Sequence, residues 1–169
     1  MNTIPTTDLP VVIKRVAKKG RGIFARQDFE SDEIVIIGTP VVTSVERTWQ
    51  TLQIDVDTHV RVDEPFELVN HSCDPNCGVR ANEVGGYDLV ARRKIYTGDE
   101  INFDYAMTEW ISIAVSDCHC GTDLCRGKIL GGKYLSPEFL KKYEGFLTPY
   151  YSKLLMTEVN DSSHILHEK

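Results

Sequence analysis

Three thiols crowd the segment Cys118-His119-Cys120-Gly121-Thr122-Asp123-Leu124-Cys125, and two more, Cys73 and Cys77, lie upstream. Tetrahedral Zn²⁺ takes four Cys or His ligands at about 2.0–2.3 Å, and a glycine-bearing knuckle lets closely spaced thiolates converge. Left without metal, three thiols on a polar loop would be open to oxidation. The fourth ligand is either His119 or a distant group, with Cys73 and Cys77 as the candidates. An odd count of five cysteines without a secretion signal does not fit a disulfide framework.

Asn70-His71-Ser72-Cys73-Asp74-Pro75-Asn76 is dense in groups that grip polar ligands. Asn offers a carbonyl acceptor with amide donors, and neutral His offers one donor and one acceptor. Asp99-Glu100-Ile101-Asn102-Phe103-Asp104-Tyr105 ends a strand with aromatic rings at alternate positions. A pleated strand would put Phe103 and Tyr105 on one face, either as core rings or with the Tyr105 hydroxyl in a pocket. Gly20-Arg21-Gly22 lies between two strand candidates, where paired glycines permit a tight turn or close backbone approach.

The elements that must position these groups are mostly short strands. Val11 to Val16, Ile23 to Arg26 and the long run Glu33 to Val42 are β-branched and apolar. His59 to Val62 alternates like a strand, and Gly78 to Ala81 with Tyr87 to Ala91 bracket Gly85-Gly86 as a hairpin. Thr97-Gly98-Asp99 turns before Ile101-Asn102-Phe103, while Ser44 to Leu52 reads as one short helix. The C-terminal part changes character. Ser136-Pro137 and Thr148-Pro149 each present an N-cap followed by proline at the first helical position. Tyr150, Leu154, Leu155 and Val159 form one apolar stripe, and residues from Asn160 onward read as frayed. The pattern indicates a mainly-β or α+β single domain rather than a doubly wound parallel sheet.

Composition narrows the partners. The 169 residues suit one domain with a core of its own, and 19 Lys+Arg against 25 Asp+Glu leave a net charge of −6. That balance argues against a dedicated nucleic-acid binder, which carries a basic face. No apolar run approaches the ~20 residues needed to cross a bilayer. The first residues carry neither a basic nor an apolar leader region, so an intracellular setting, cytoplasm or nucleus, is expected.

Taken in order, Lys19 to Phe24, Asn70 to Asn76, Gly98 to Tyr105 and Cys118 to Cys125 resemble the SET-domain protein-lysine methyltransferases. The last segment resembles their post-SET zinc motif, and the resemblance spans residues 11–130. It implies a β-fold of several small sheets with a knot-like crossing, in which the Asn70-His71 segment passes beneath the loop ending at Tyr105. It also implies a SET domain over 11–113 and a post-SET zinc segment over 114–131, which leaves an N-terminal tail over 1–10 and the C-terminal helical extension with its frayed tail over 132–169.

By the same resemblance, S-adenosyl-L-methionine would be held by Lys19, Gly20, Arg21, Gly22, Ile23, Phe24, Asn70, His71, Tyr105, Ile129 and Leu130. Phe103 and Tyr105 would border the substrate channel, with Tyr105 the catalytic residue. Zinc would join Cys73 to Cys118, Cys120 and Cys125, leaving Cys77 free. The implied partner is a protein or peptide presenting lysine, histone or otherwise; from the charge balance and the lack of a long apolar run, no direct nucleic-acid or membrane contact is expected. Many members carry Arg and Phe before the Asn-His pair, where this chain has Glu67-Leu68-Val69.

The implied reaction requires a neutral amine, and a free lysine with pKa ~10.4 needs roughly 4–5 kcal/mol to lose its proton at pH 7. An apolar channel beside a sulfonium lowers that pKa by desolvation and like charge. Tyr105, with a reference pKa of about 10, suits orienting the amine better than accepting its proton. Phe rather than Tyr at position 103 leaves space for a methylated amine, so di- or trimethyllysine is the expected product. Two other readings use the same residues: a catalytically weak SET-like module that reads a peptide, and a zinc-knuckle nucleic-acid binder.

Overall fold

A computed structural model describes residues 9–154 except 45, 115 and 152. Among the described residues, ten short strands form three small sheets, and helical structure is confined to short segments in the C-terminal part and three 3₁₀ turns. The hairpin β1 (Val11–Val16) and β2 (Gly20–Ala25) pairs antiparallel in full register, Val11 opposite Ala25 and Val16 opposite Gly20. β2 continues antiparallel to β10 (Glu100–Phe103), and β10 lies parallel to the two-residue β7 (Asn70–His71). A second sheet has the order β3 (Ile34–Ile37), β9 (Tyr87–Ala91), β8 (Cys77–Ala81). A third has the order β4 (Pro40–Ser44), β6 (Thr58–Val62), β5 (Leu52–Asp55).

The expected 78–91 hairpin forms, with Gly78 opposite Val90 and Ala81 opposite Tyr87. The expected single run Glu33 to Val42 instead splits between two sheets at Gly38. A Cβ there would stand 2.7 Å from the Tyr87 carbonyl and 2.8 Å from the Phe66 ring, so the chain turns where only glycine fits.

Ser44 to Leu52 is not helical at its described positions. Thr48 and Thr51 form a turn, the Thr51 amide donating to the Thr48 carbonyl at 3.1 Å and the Thr51 hydroxyl to the same oxygen at 2.9 Å. β-Branched residues that satisfy the backbone locally favour such turns over helices.

Between the sheets lies one core, with Ile23, Val60, Leu89, Ile95, Ile101 and Met107 fully buried. α1 (Pro137–Lys141) starts as expected, with the Ser136 hydroxyl accepting from the Phe139 amide at 3.2 Å and proline in the first turn. Past Thr148-Pro149, residues 151, 153 and 154 are helical, and Tyr150 and Tyr151 pack with Leu140 in a second apolar cluster. Leu155, Val159 and the expected frayed tail lie outside the described residues.

Candidate active site and thiol cluster

The site is built where β7 and β10 run side by side. Asn70 is opposite Asn102 and His71 opposite Phe103, and the Ser72 amide donates to the Phe103 carbonyl at 3.0 Å. Asn76 extends this seam, its Nδ2 donating to the Glu100 carbonyl at 2.9 Å and its Oδ1 accepting from the Asn102 amide at 3.0 Å. Two segments far apart in sequence are thereby fixed as neighbours, and the asparagines meet the backbone needs of a strand too short to do so alone.

β10 ends at Phe103, so strand alternation does not carry the Phe103–Tyr105 relationship. Tyr105 instead opens a 3₁₀ turn over Tyr105–Met107, capped by Asp104, whose side chain accepts from the Ala106 amide at 3.0 Å. The two rings still meet, with centroids 5.1 Å apart. The Tyr105 hydroxyl donates to the Val69 carbonyl at 3.0 Å, and the Tyr105 amide donates to His71 Nδ1 at 3.2 Å. That bond makes Nδ1 the acceptor and leaves the ring proton on Nε2, 3.3 Å from Cys73 Sγ. Burial holds the His71 pKa down to about 4, against the opposing pull of Asp104, so the imidazole is neutral near pH 7. Burial likewise pushes the Tyr105 phenol up to about 12.

Tyr105 stands between two concavities. One is lined by Lys18, Lys19, Asn70, His71, Tyr105 and Ile129, together with Ala114, Asp117 and His119. The other is a cleft lined by Trp49, Leu52, Phe66, Phe103, Tyr105 and Glu109 among others. Glu109 is buried, and its Oε1 accepts the Gln53 amide at 2.9 Å. Burial raises its pKa to about 7, opposed by that amide and by Arg47.

The C-terminal extension holds the loop after Tyr105. The Tyr151 hydroxyl lies 2.5 Å from the Ala106 carbonyl and 2.8 Å from that of Glu109, and Tyr150 donates to the Thr108 carbonyl.

Not all the sequence-derived candidates converge. Lys19, Asn70, His71, Tyr105 and Ile129 share one concavity, and Phe103 shares the other with Tyr105. Gly20 and Arg21 line a shallow depression with Ile13, Lys14 and Arg15. Ile23 is fully buried in the core, Phe24 lies under the Lys14 ammonium, and Leu130 is exposed.

The two glycines have different reasons. Gly20 has φ +82° with open space around it, whereas a Cβ on Gly22 would lie 2.6 Å from Asn70 Nδ2. Gly22 therefore admits the Asn70 amide, which donates to the Arg21 carbonyl at 3.1 Å and to Glu100 Oε1 at 3.0 Å. Glu100 in turn pairs with Lys19 at 2.6 Å. Glu100, Glu109 and the Thr48–Leu52 segment were not among the candidates, because nothing local in the sequence marks them.

The fourth thiol of the cluster is Cys73. The ligand atoms of Cys73, Cys118, Cys120 and Cys125 all lie within 4.8 Å of one another. Cys73 Sγ is 3.7 Å from Cys118 Sγ, and two thiolates on one tetrahedral Zn²⁺ at ~2.3 Å stand ~3.8 Å apart. Backbone amides complete the setting, Arg126 N donating to Cys73 Sγ and Gly127 N to Cys125 Sγ, each at 3.4 Å. Four soft thiols at this spacing fit zinc. His119 lines the neighbouring concavity, and Cys77 is buried apart from the cluster.

Comparison with known proteins places this arrangement. The SET domain family model matches residues 20–106, just over half of the chain. Methyltransferase flvH of Aspergillus flavus is 27% identical over 119 residues, covering 69% of this chain and 64% of that protein. The Candida albicans histone-lysine N-methyltransferase, H3 lysine-36 specific, is 29% identical, covering 89% of this chain and 21% of that protein. The structure of KRYPTONITE in complex with mCHG DNA and SAH superposes with a TM-score of 0.58 at 19% identity, over 72% of this chain and 29% of the other. The chain thus spans less than two thirds of these relatives, and the last likeness is one of fold. With a family model matched from β2 to the turn after β10, the chain belongs to the SET-domain family.

Proposed function

We propose that this chain is an S-adenosylmethionine-dependent protein-lysine N-methyltransferase that carries one structural zinc. The observation that supports it most is the position of Tyr105, on the wall between a concavity lined by Asn70 and His71 and a cleft lined by Phe103. Methyl transfer to an amine is an in-line displacement, so the protein must mainly align two partners that approach from opposite sides. S-adenosylmethionine, bound on the Asn70-His71 side, supplies an electrophilic methyl group on sulfur.

Asn70, His71, Lys19 and Ile129 hold the cofactor, the neutral imidazole adding no positive charge beside the sulfonium. Gly20 to Phe24 contribute mainly by shaping the backbone next to Asn70. On the other side, Phe103 and Phe66 form the apolar wall that disfavours an ammonium and so helps the lysine shed its proton to water. Tyr105, with a phenol pushed up to about 12, stays protonated and orients the amine instead of accepting its proton. The phenyl ring at 103 leaves room for a methylated amine, which supports di- or trimethyllysine as the product. The four thiols, held on zinc, keep the segment carrying Ile129 against the cofactor side.

The relatives that carry this fold include histone-lysine methyltransferases, and KRYPTONITE is known in complex with an H3(1-15) peptide. A histone tail is therefore the first substrate to test. KRYPTONITE also takes DNA, whereas the net charge of −6 here supports a peptide partner.

The protein should be incubated with methyl-labelled S-adenosylmethionine, a histone panel and a cell lysate. Label in a protein band, at a lysine by mass spectrometry and lost in Tyr105→Phe, is the expected outcome. Peptide binding without any label transfer would favour the alternative of a catalytically weak reader module.

A further inference from the structure

One fully buried carboxylate has more partners than a turn cap requires. Asp104, with no solvent exposure, has Arg126 Nη2 donating to Oδ1 at 2.8 Å and Arg126 Nη1 2.7 Å from Oδ2. The Tyr143 hydroxyl donates to Oδ2 at 2.7 Å, and the Ala106 amide donates to Oδ1 at 3.0 Å. Arg126 directly follows the thiol Cys125, and its own backbone amide donates to Cys73 Sγ. The guanidinium lies over the Phe139 ring, 5.2 Å from its centroid, and Phe139 packs edge-on against Tyr143. Three otherwise separate parts meet on this group: the thiol loop, the C-terminal extension and the turn that begins at Tyr105.

We propose that Asp104 and Arg126 are positioning residues that couple the zinc segment to the cofactor side of the site, with Tyr143 locking the pair from the C-terminal extension. The cofactor half of this statement rests on the proposed methyltransferase activity; the zinc half rests on the four-thiol cluster alone. An Arg–carboxylate pair around a fully buried carboxylate is geometrically selective, and removing the arginine leaves the buried Asp104 charge without its ionic partner. Its side chain tied to Asp104, Arg126 cannot withdraw its backbone amide from Cys73 without breaking that pair. The cluster should therefore hold metal more slowly exchanging than four thiols on a free loop. In turn, the Asp104 carboxylate sets the start of the 3₁₀ turn whose first amide fixes the His71 ring.

The test is a double-mutant cycle on purified zinc-loaded protein, comparing Asp104→Asn, Arg126→Gln and the double variant. The first readout is the rate of zinc transfer to a chromogenic chelator, 4-(2-pyridylazo)resorcinol, which needs neither cofactor nor substrate. Each single variant should speed transfer by about tenfold or more, and the double variant by no more than the faster single. The second readout is cofactor KM against kcat, with KM rising more than kcat falls.

Should Asp104→Asn fail to fold, Tyr143→Phe and Arg126→Lys carry the test, each expected to speed zinc transfer several-fold. Multiplicative effects in the double variant, or zinc transfer at the wild-type rate in folded variants, would overturn the coupling. Faster zinc loss with cofactor binding unchanged would overturn the link to the cofactor side alone. Absence of zinc from the purified protein would overturn the whole proposal.

Discussion

Replacing Gly22 by alanine isolates the role of close packing beside the proposed cofactor site. The new methyl would sit 2.6 Å from Asn70 Nδ2, 2.9 Å from Val16 Cγ2 and 3.1 Å from Glu100 Oε1. Contacts of 2.6 and 2.9 Å are too short to persist, so the Asn70 amide must shift from its place. It then loses a bond to the Arg21 carbonyl and a bond to the Glu100 carboxylate. A neutral hydrogen bond contributes about 1 kcal/mol and one to a charged group about 1.5–3, so after partial relaxation the loss should be about 2–3 kcal/mol. At roughly 3 °C per kcal/mol for a domain of this size, the melting temperature should fall by about 6–9 °C.

Gly20→Ala is the matched control. Its new Cβ meets nothing within 4 Å, and the residue suffers only from its φ of +82°, a cost of about 1 kcal/mol. Thermal melts and calorimetric titration of S-adenosylmethionine should therefore separate the pair. Gly22→Ala should lower cofactor affinity at least tenfold, while Gly20→Ala should bind nearly as wild type. Equal cofactor affinity in the two variants, or a larger melting-temperature loss in Gly20→Ala, would refute the reasoning.

Tyr105→Phe should keep the fold, losing about 1 kcal/mol with its bond to Val69, while single-turnover methyl transfer drops by orders of magnitude; a near-wild-type rate would remove the hydroxyl from the mechanism. Cys125→Ser should reduce zinc content measured by mass spectrometry of the metal and loosen the segment after residue 114, detected as faster proteolysis there. Phe103→Tyr should shift products toward monomethyllysine, read at saturating cofactor by peptide mass spectrometry, and cost stability because position 103 is only 1% exposed. Glu109 supplies a pH test. A carboxyl whose folded pKa is raised to about 7 binds protons in the folded state that the unfolded state has released, so stability falls as pH rises from about 4.5 to 7. Glu109→Gln should therefore gain on wild type by up to about 3 kcal/mol between pH 5 and pH 8, measured by urea unfolding, whereas a pH-independent difference would contradict that shift.

Much of the architecture is local and was legible. The β-branched runs, the Gly85-Gly86 hairpin and the Ser136-Pro137 helix start follow from preferences that act within a few residues. The thiol loop was legible for a chemical reason, since three cysteines around a glycine have few other uses. Where local preference was weak, the sequence misled. Thr48 and Thr51 made a turn in place of a helix, and the 33–42 run divided between two sheets because Gly38 packs against Tyr87 and Phe66, neither of them nearby in sequence.

By itself, then, the sequence determined which short elements form and which residue types could do chemistry. Only the tertiary structure decided which of them meet. Cys73 rather than Cys77 or His119 joins the three clustered thiols, because the parallel β7–β10 pairing carries the segment after His71 to that loop. Tyr105 reaches its place through a capped turn beyond the strand, and tyrosines from the C-terminal extension hold the loop behind it. Asp104 gathers Arg126 and Tyr143 from 22 and 39 residues away. Such pairings arise from long-range packing and from the need to satisfy each buried polar group, and no short-range pattern encodes either.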